Sequence, residues 1–461
     1  MRKIGTVLAL LGLSFCPGFC GKALAAMPAP EISALESQAV TKEQVKAEFL
    51  HAWNGYKQYA WGHDELKPLS KGWSDWYGEP LLITPVDALD TMLVMGLEKE
   101  AAEAKQLIFS QLNFDKDMEV QHFEISIRVL GGLISSYQLD GDKRLLKLAT
   151  ELADRMSPVW NSKTGMPYRY LNLKTGKVSG ALSGPAEIGT YVLEYGTLSK
   201  LTGNPAYYEK AKKAMTAVYE RRSEKTGLMG SVIDINSGRW VVKDSSVGGG
   251  IDSYYEYCLK GAILFQDPEL KAMWDTHVAA INKYLADEST GNLWYGHAGM
   301  NSGKRSLSIF GALDAFFPAM LALGGDLEAA ARLENSCYKM WSLNGIEPEM
   351  TNYKSMKVIA PNYPLRPEII ESAYYLYHFT GDEKYRRMAN NFFNSTVKYC
   401  RTDAGYATLS DVRSKKQADS QPSYFLAENM KYFYLISDPE ALDFNKVIFT
   451  TEAHPMFKTS R

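Results

Sequence analysis

LRPEIIESAYYLYHFTGDEKYRRMA, residues 365–389, reads as two helices joined by a turn. Pro367 suits a helix entrance, because the amide it lacks would have no partner in the first turn. An apolar, Tyr-rich run follows. Gly381 stops that run, and Asp382 opens a second, more polar segment. At the head of the apolar run stands Glu368, a carboxylate that is costly to bury unless it is paired or used.

The arrangement recurs along the chain. An acid heads an apolar helical run at Asp87 (TPVDALDTMLVMG), Glu124 (HFEISIRVLGGL), Glu187 (PAEIGTYVLEYG), Asp252 (GIDSYYEYCLK) and Glu428 (SYFLAENMKYFYL). Connecting turns resemble one another at 139–149, 201–211, 265–274, 324–333, 379–389 and 437–444. Counting the hairpin that starts at Asp87, this gives seven helical pairs. Segments 164–180 and 226–244 hold Gly and short β-prone runs, and are expected to form small β-hairpins on one rim. Little else alternates with period two, so a central sheet is not expected. The pattern predicts an all-α ring of helical hairpins, with inner helices walling an acidic cavity. An open solenoid is the alternative, and convergence of the acids favours closure.

Residues 1–25 read as a cleaved signal peptide. Arg2 and Lys3 precede the apolar run IGTVLALLGLSF, and Ala23-Leu24-Ala25 is a small-x-small cleavage site. A lipoprotein site at Cys16 or Cys20 is disfavoured by the bulky Phe15 and Phe19. The expected mature protein is exported, periplasmic or secreted, with no membrane span, and residues 26–461 form one domain. A formal net charge of −2 with no basic stripe argues against nucleic acid as a partner. The mature chain keeps Cys258, Cys337 and Cys400, which make no disulfide framework and no zinc spacing. Aromatic residues are 12% of the chain, with 28 Tyr, and such rings suit the apolar faces of sugars as well as helix packing.

Several acids have neighbours that point to use. Arg128 follows Glu124 by one helical turn, among Phe123, Ile125, Ile127, Val129 and Leu130, which leaves little surface for an ordinary exposed ion pair. Glu368 and Glu371 share a helix face beside Arg366. Asp252 follows three glycines and lies one turn before Glu256, although it would also serve as an N-cap. The C-terminal FTTEAHPMF, if it enters the ring as a plug, places Thr451 among carboxylates, an oxygen-rich setting suited to Ca²⁺ rather than zinc. Paired carboxylates in an acidic, aromatic-walled pocket describe a glycosidase. Such a pocket would repel an acidic sugar.

From about Tyr59 to Pro455 the chain resembles glycoside hydrolase family 47, the class I α-1,2-mannosidases. The resemblance rests on eight blocks in order: YAWGHDELKPLS, DALDTMLVMGL, FEISIRVLGGLISSYQLDGD, PAEIGTYVLEYGTLSKLTG, IDSYYEYCLKG, LRPEIIESAYYLYHFTGD, SYFLAENMKYFYL and TEAHP. It implies an (α/α)7 barrel plugged by a C-terminal β-hairpin, acting as a monomer. It implies a Ca²⁺-dependent, inverting exo-enzyme that removes α-1,2-linked mannose from oligosaccharides. By motif position Glu124 would be the general acid acting through a water, Glu368 the general base, and Asp252 the third essential carboxylate. Thr451 would bind Ca²⁺ through hydroxyl and carbonyl, with Glu187, Glu256, Glu349, Glu371 and Glu428 holding its waters. Arg128, Arg366, Tyr424 and Glu428 would contact the sugar or orient the acids. A glycan-binding protein of little activity on the same scaffold is the alternative.

The chain departs from the family pattern in three places. Tyr424 stands where Phe is frequent. Ile309 replaces the cysteine that would pair with Cys337, and the family's His in the same block is missing, with Ser306 nearby. Gly250 replaces an Arg that restricts branch choice in some members, which predicts weaker branch discrimination.

Overall fold

The structure is a computed structural model that describes residues 39–459. The leader expected at residues 1–25 lies outside the described residues. Helix α1 (Lys42–Tyr59) comes first, followed by α2 (Ile83–Asp87), α3 (Leu89–Met95) and α4 (Glu98–Gln111). Next, α5 (His122–Glu124) runs through a π-helical stretch, Ile125–Leu130, into α6 (Gly131–Asp140), and α7 (Lys143–Met156) returns. Then come α8 (Pro185–Gly189), α9 (Val192–Thr202) and α10 (Ala206–Tyr219). The pairs α11 (Asp252–Phe265) with α12 (Pro268–Tyr284), α13 (Phe317–Leu323) with α14 (Leu327–Ser342), and α15 (Glu368–Thr380) with α16 (Glu383–Cys400) follow. A second π-helical stretch, Phe425–Asn429, leads into α17 (Met430–Ser437).

Burial separates two rings. Helix α11 is buried on nearly every side, from Ser253 to Ala262, as befits an inner wall. Helix α7 buries one stripe, Leu145, Ala149, Leu152, Ala153 and Met156, and faces solvent with the rest. The turns between inner and outer helices carry their own chemistry. Gly141 and Gly381 end inner helices in the left-handed conformation, at φ 78° and 64°. Asp142, Asp267, Asp326 and Asp382 then cap the outer helices by accepting backbone N–H groups, each worth about 1 kcal/mol.

Inner helices pack in sequence, α3 on α6, α6 on α9, α9 on α11, α13 on α15 and α15 on α17, and α17 packs back on α3 to close an (α/α)7 barrel. One expectation is corrected here. The turn at 437–444 does not open an outer helix; short 3-10 turns follow it, Pro439–Ala441 and Phe444–Lys446. The outer partner of α17 is instead α1, from the other end of the chain. The hairpin Val447–Phe449/Pro455–Phe457 comes next, and it packs against α6 and α11 inside the ring.

Small antiparallel sheets of two or three strands occupy the connections from outer to inner helices. They include the expected excursions, with Tyr170–Asn172 paired to Val178–Ser179 and Val232–Asp234 paired to Arg239–Val242. All share the barrel end at which the inner helices begin, so they form the rim of the cavity. Cys258, Cys337 and Cys400 are buried free thiols. Among the described residues no helix is long and apolar enough to cross a membrane.

Glu334 on α14 is fully buried, and neither carboxylate oxygen has a hydrogen-bond partner. Burial holds its carboxyl well above the usual range, so the folded protein keeps a proton that the unfolded chain loses above about pH 4.3. Stability therefore falls as pH rises through that window. Glu334→Met is expected to stabilise the protein by about 1–3 kcal/mol, with a larger gain at pH 8 than at pH 5. Thermal melts at the two pH values test this, and an equal gain at both would show that Glu334 is ionised in the fold.

Candidate active site

Every helical hairpin runs in the same sense, so the first turns of the inner helices meet at one end of the barrel. They enclose a cavity of about 410 Å³. Of the residues expected at the site, Glu124, Arg128, Glu187, Asp252, Glu256, Arg366, Glu368, Glu371, Tyr424, Glu428 and Thr451 line it. Glu349 stands just behind the wall, where Arg366 grips it through Nε to Oε2 at 3.1 Å and Nη2 to Oε1 at 2.7 Å. That two-pronged contact fixes a planar guanidinium.

Arg128 is the hub of one wall. Its Nε donates to Glu124 Oε2 at 2.9 Å, its Nη1 donates to Glu452, and Asp87 Oδ2 lies 3.9 Å away. Its guanidinium carbon lies 5.4 Å from the ring centres of both Trp76 and Tyr424. Carboxylates and aromatic faces thus enclose Arg128 and fix its guanidinium in the wall. The Tyr424 hydroxyl donates to Pro364 O at 2.6 Å, which fixes the ring as a wall of the cavity. Glu124 lies at the end of α5, where the π-helical stretch begins, and Glu428 lies within the other such stretch. The wider turn is a frequent feature of functional sites.

Asp252 is the first residue of α11 rather than its N-cap, a place taken by Ile251. Its Oδ1 accepts the Ser253 N–H at 2.9 Å. Burial raises Asp252 to about 7, against the help of that N–H. Glu368 is pushed up to about 8, again by burial first, with Arg366 opposing. Its Oε2 is buried without a partner. Glu428 is held well above the usual range by burial and then by Glu452 and Glu368. The cavity crowds more carboxyls than its cations neutralise.

Two clusters leave less freedom than the sequence suggests. Lys260, fully buried, donates to Glu256 Oε1 at 2.5 Å and to Glu371 Oε1 at 3.1 Å. Glu187 accepts from Gln121 Nε2 at 2.7 Å and Ser183 Oγ at 2.9 Å, and pairs with Arg169 Nη2 at 2.7 Å. Thr451 sits on the turn of the C-terminal hairpin, and its N–H donates to the Tyr257 hydroxyl at 3.3 Å. Its hydroxyl has no hydrogen bond with any described residue. Beside it the cavity offers Glu371, Glu428 and Glu452, a donor set of oxygens that fits a hard cation. Among the described residues no three His, Cys, Asp or Glu side chains are placed to chelate a metal directly, so a cation here would depend on Thr451 and on water.

Sequence reasoning misses several residues. Glu452 is the neighbour of Thr451 in TEAHP and is buried against Arg128. Glu65 is half-buried near Arg128 and Trp76, and desolvation pushes it up to about 7. Gln121, Arg169, Tyr170 and Phe316 complete the lining from rim strands and turns. Asp314 heads the inner unit to which the repeat pattern assigned no acid. It accepts the Gly311 N–H at 2.9 Å and packs against Gly248, where an added Cβ would stand 2.5 Å from its carboxylate. The signal for it is present, since LDAFFPAMLALGG has the same acid-then-apolar form.

Comparison with known proteins agrees with this architecture. The human "ER degradation-enhancing alpha-mannosidase-like protein 2" is 36% identical over 93% of this chain and 79% of its own length. The pig "Mannosyl-oligosaccharide 1,2-alpha-mannosidase IA" is 38% identical over 92% of this chain and 68% of its own. Among solved structures, the "alpha-1,2-mannosidase from Trichoderma reesei" superposes with a TM-score of 0.84 at 28% identity, covering 91% of this chain and 99% of that one. The family model for "Glycosyl hydrolase family 47" matches residues 48–458, and the chain therefore belongs to that family of glycoside hydrolases.

Proposed function

We propose that this enzyme is an exo-acting, inverting α-1,2-mannosidase that uses Ca²⁺ and releases terminal mannose from high-mannose oligosaccharides or mannans. The observation that carries the reading is the meeting of Glu124, Asp252 and Glu368, from three separate inner units, on one cavity. The names of the pig and fungal relatives supply the substrate class.

Glu368 is the general base. It takes the proton of the attacking water, and its raised proton affinity suits that task. Glu124, held by Arg128, acts as general acid through a water and delivers a proton to the leaving oxygen. An inverting pair needs room for the nucleophilic water, about 6.5–9.5 Å between carboxyls. Asp252 supports the acid side. Tyr424 supplies a ring face for the terminal sugar, while Arg366 holds the Glu368 side of the cavity in register through Glu349. The Thr451 hydroxyl and carbonyl would hold Ca²⁺, which would supply a charge that orients the sugar hydroxyls and offsets the crowded carboxyls. Glu187, Glu256, Glu349, Glu371 and Glu428 would serve its water shell. Residues 1–25 act as a cleaved leader for export, and the mature chain works as a monomer.

Proton NMR of α-1,2-mannobiose with the protein tests the reading, with Ca²⁺ and with EDTA. β-Mannose is expected first, and only with Ca²⁺. Early α-mannose would overturn the acid and base roles. Broadened sugar resonances without release would favour a glycan-binding protein.

A further inference from the structure

We propose that His454 is a positioning residue: clamped between Asp87 and Asp90, its imidazole seats the C-terminal turn so that Thr451 and Glu452 present their oxygens to the cavity. The inference deepens the proposed function, since it takes Thr451 as the cation ligand.

His454 lies at the end of the turn that carries both residues. Its Nδ1 is 2.7 Å from Asp90 Oδ2. Its Nε2 stands 3.2 Å from Asp87 Oδ1, at ion-pair distance but off the line of a good hydrogen bond. Carboxylates face both ring nitrogens, which favours the doubly protonated, cationic ring. Asp90 also meets Lys431 Nζ at 2.8 Å and accepts from Ser135 Oγ at 2.8 Å. Asp87 accepts from Ser423 Oγ at 2.5 Å. Asp87, Asp90, Lys431 and His454 are all fully buried. Two carboxylates meet two basic side chains here, with Arg128 also 3.9 Å from Asp87, and removing one partner leaves a buried charge unpaired.

The clamp grips three parts of the barrel. Asp87 and Asp90 belong to the first inner unit, Lys431 to the last, and His454 to the plug. Lys431 also donates to Ala453 O at 2.8 Å. Ala453 is held at φ 59°, a left-handed conformation that a residue with a side chain adopts only under constraint. Within the turn, Thr450 Oγ1 accepts from Glu452 N at 3.3 Å and from His454 N at 3.1 Å. Thr450 N also donates to His454 O at 2.9 Å. The turn is therefore one stiff unit, and a shift of His454 moves Thr451 and Glu452 with it.

The inner wall is cut to fit this ring. Gly131 begins α6, where Gly costs about 1 kcal/mol relative to Ala. A Cβ there would stand 2.8 Å from His454 Cδ2. The glycine makes room for the imidazole, and Gly131→Ala would press on its Cδ2 edge.

The test uses the full-length protein with His454→Gln and Gly131→Ala, read in two ways. Calorimetric titration with Ca²⁺ alone measures the cation site. Hydrogen exchange of peptides spanning 447–458 measures seating of the turn without any metal. Both variants are expected to bind Ca²⁺ at least tenfold more weakly and to exchange residues 450–454 at least tenfold faster, with the rest of the barrel at wild-type protection. Exchange and Ca²⁺ affinity at wild-type levels in either folded variant would overturn the clamp. If His454→Gln fails to fold, Gly131→Ala alone decides. If the wild-type protein binds no Ca²⁺, the cation reading falls, and exchange at 450–454 still decides whether His454 seats the turn.

Discussion

Glu368→Gln is expected to lower kcat by roughly 10²–10⁴-fold, the usual worth of a general base, while leaving Ca²⁺ and sugar binding intact. Gln keeps the length and shape of the side chain but cannot accept a proton. The surroundings are built to hold that proton. Burial raises Glu368 to about 8, and Arg366, the nearest opposing charge, has both prongs engaged by Glu349. Single-turnover release of mannose, alongside calorimetry with a mannose-type inhibitor, separates the chemical step from binding. Turnover at the wild-type rate would remove Glu368 as base and leave Asp252, raised to about 7, as the acid next in line.

Removing the cation is expected to have a comparably large effect. Glu368, Glu371, Glu428 and Glu452 share one cavity, and burial raises the proton affinity of each. Without a divalent charge, nothing offsets this crowding of carboxyls, and the sugar hydroxyls lose the cation proposed to orient them. EDTA should therefore abolish turnover. Ca²⁺ should restore it better than Mg²⁺, which requires a smaller and stricter octahedron. Thr451→Ala deletes one oxygen and keeps the carbonyl, so Ca²⁺ affinity should fall by an order of magnitude or more rather than vanish. Calorimetry showing unchanged affinity would refute Thr451 as the ligand, whatever the activity.

Much of the barrel is legible in the chain itself. The acid at the head of each apolar run, with the Gly–Asp turn behind it, marks the repeat, because helix stops and caps are local chemistry. The Glu124–Arg128 pair is legible because apolar neighbours rule out an exposed face, and Arg128 is indeed buried. The turn at 437–444 misleads for an equally local reason. It resembles the others, but the outer position beside α17 is already filled by α1, and no sequence window sees both ends of the chain. Asp252 likewise has the form of an N-cap, and only the backbone path through Gly248–Ile251 decides that Ile251 takes that place.

The sequence by itself determined the helical hairpins, the rim excursions and the identity of most acids that face the cavity. Each of these depends on spacing, caps and turn residues within a few positions of one another. Tertiary structure alone decided how the ring closes, which acid each cation holds and what seats the plug. Arg128 reaches Glu452 across 324 residues, and His454 reaches Asp90 across 364. Such pairs leave no periodicity in the chain. They arise only when the two ends of the ring meet, where burial makes an unpaired charge too costly to leave.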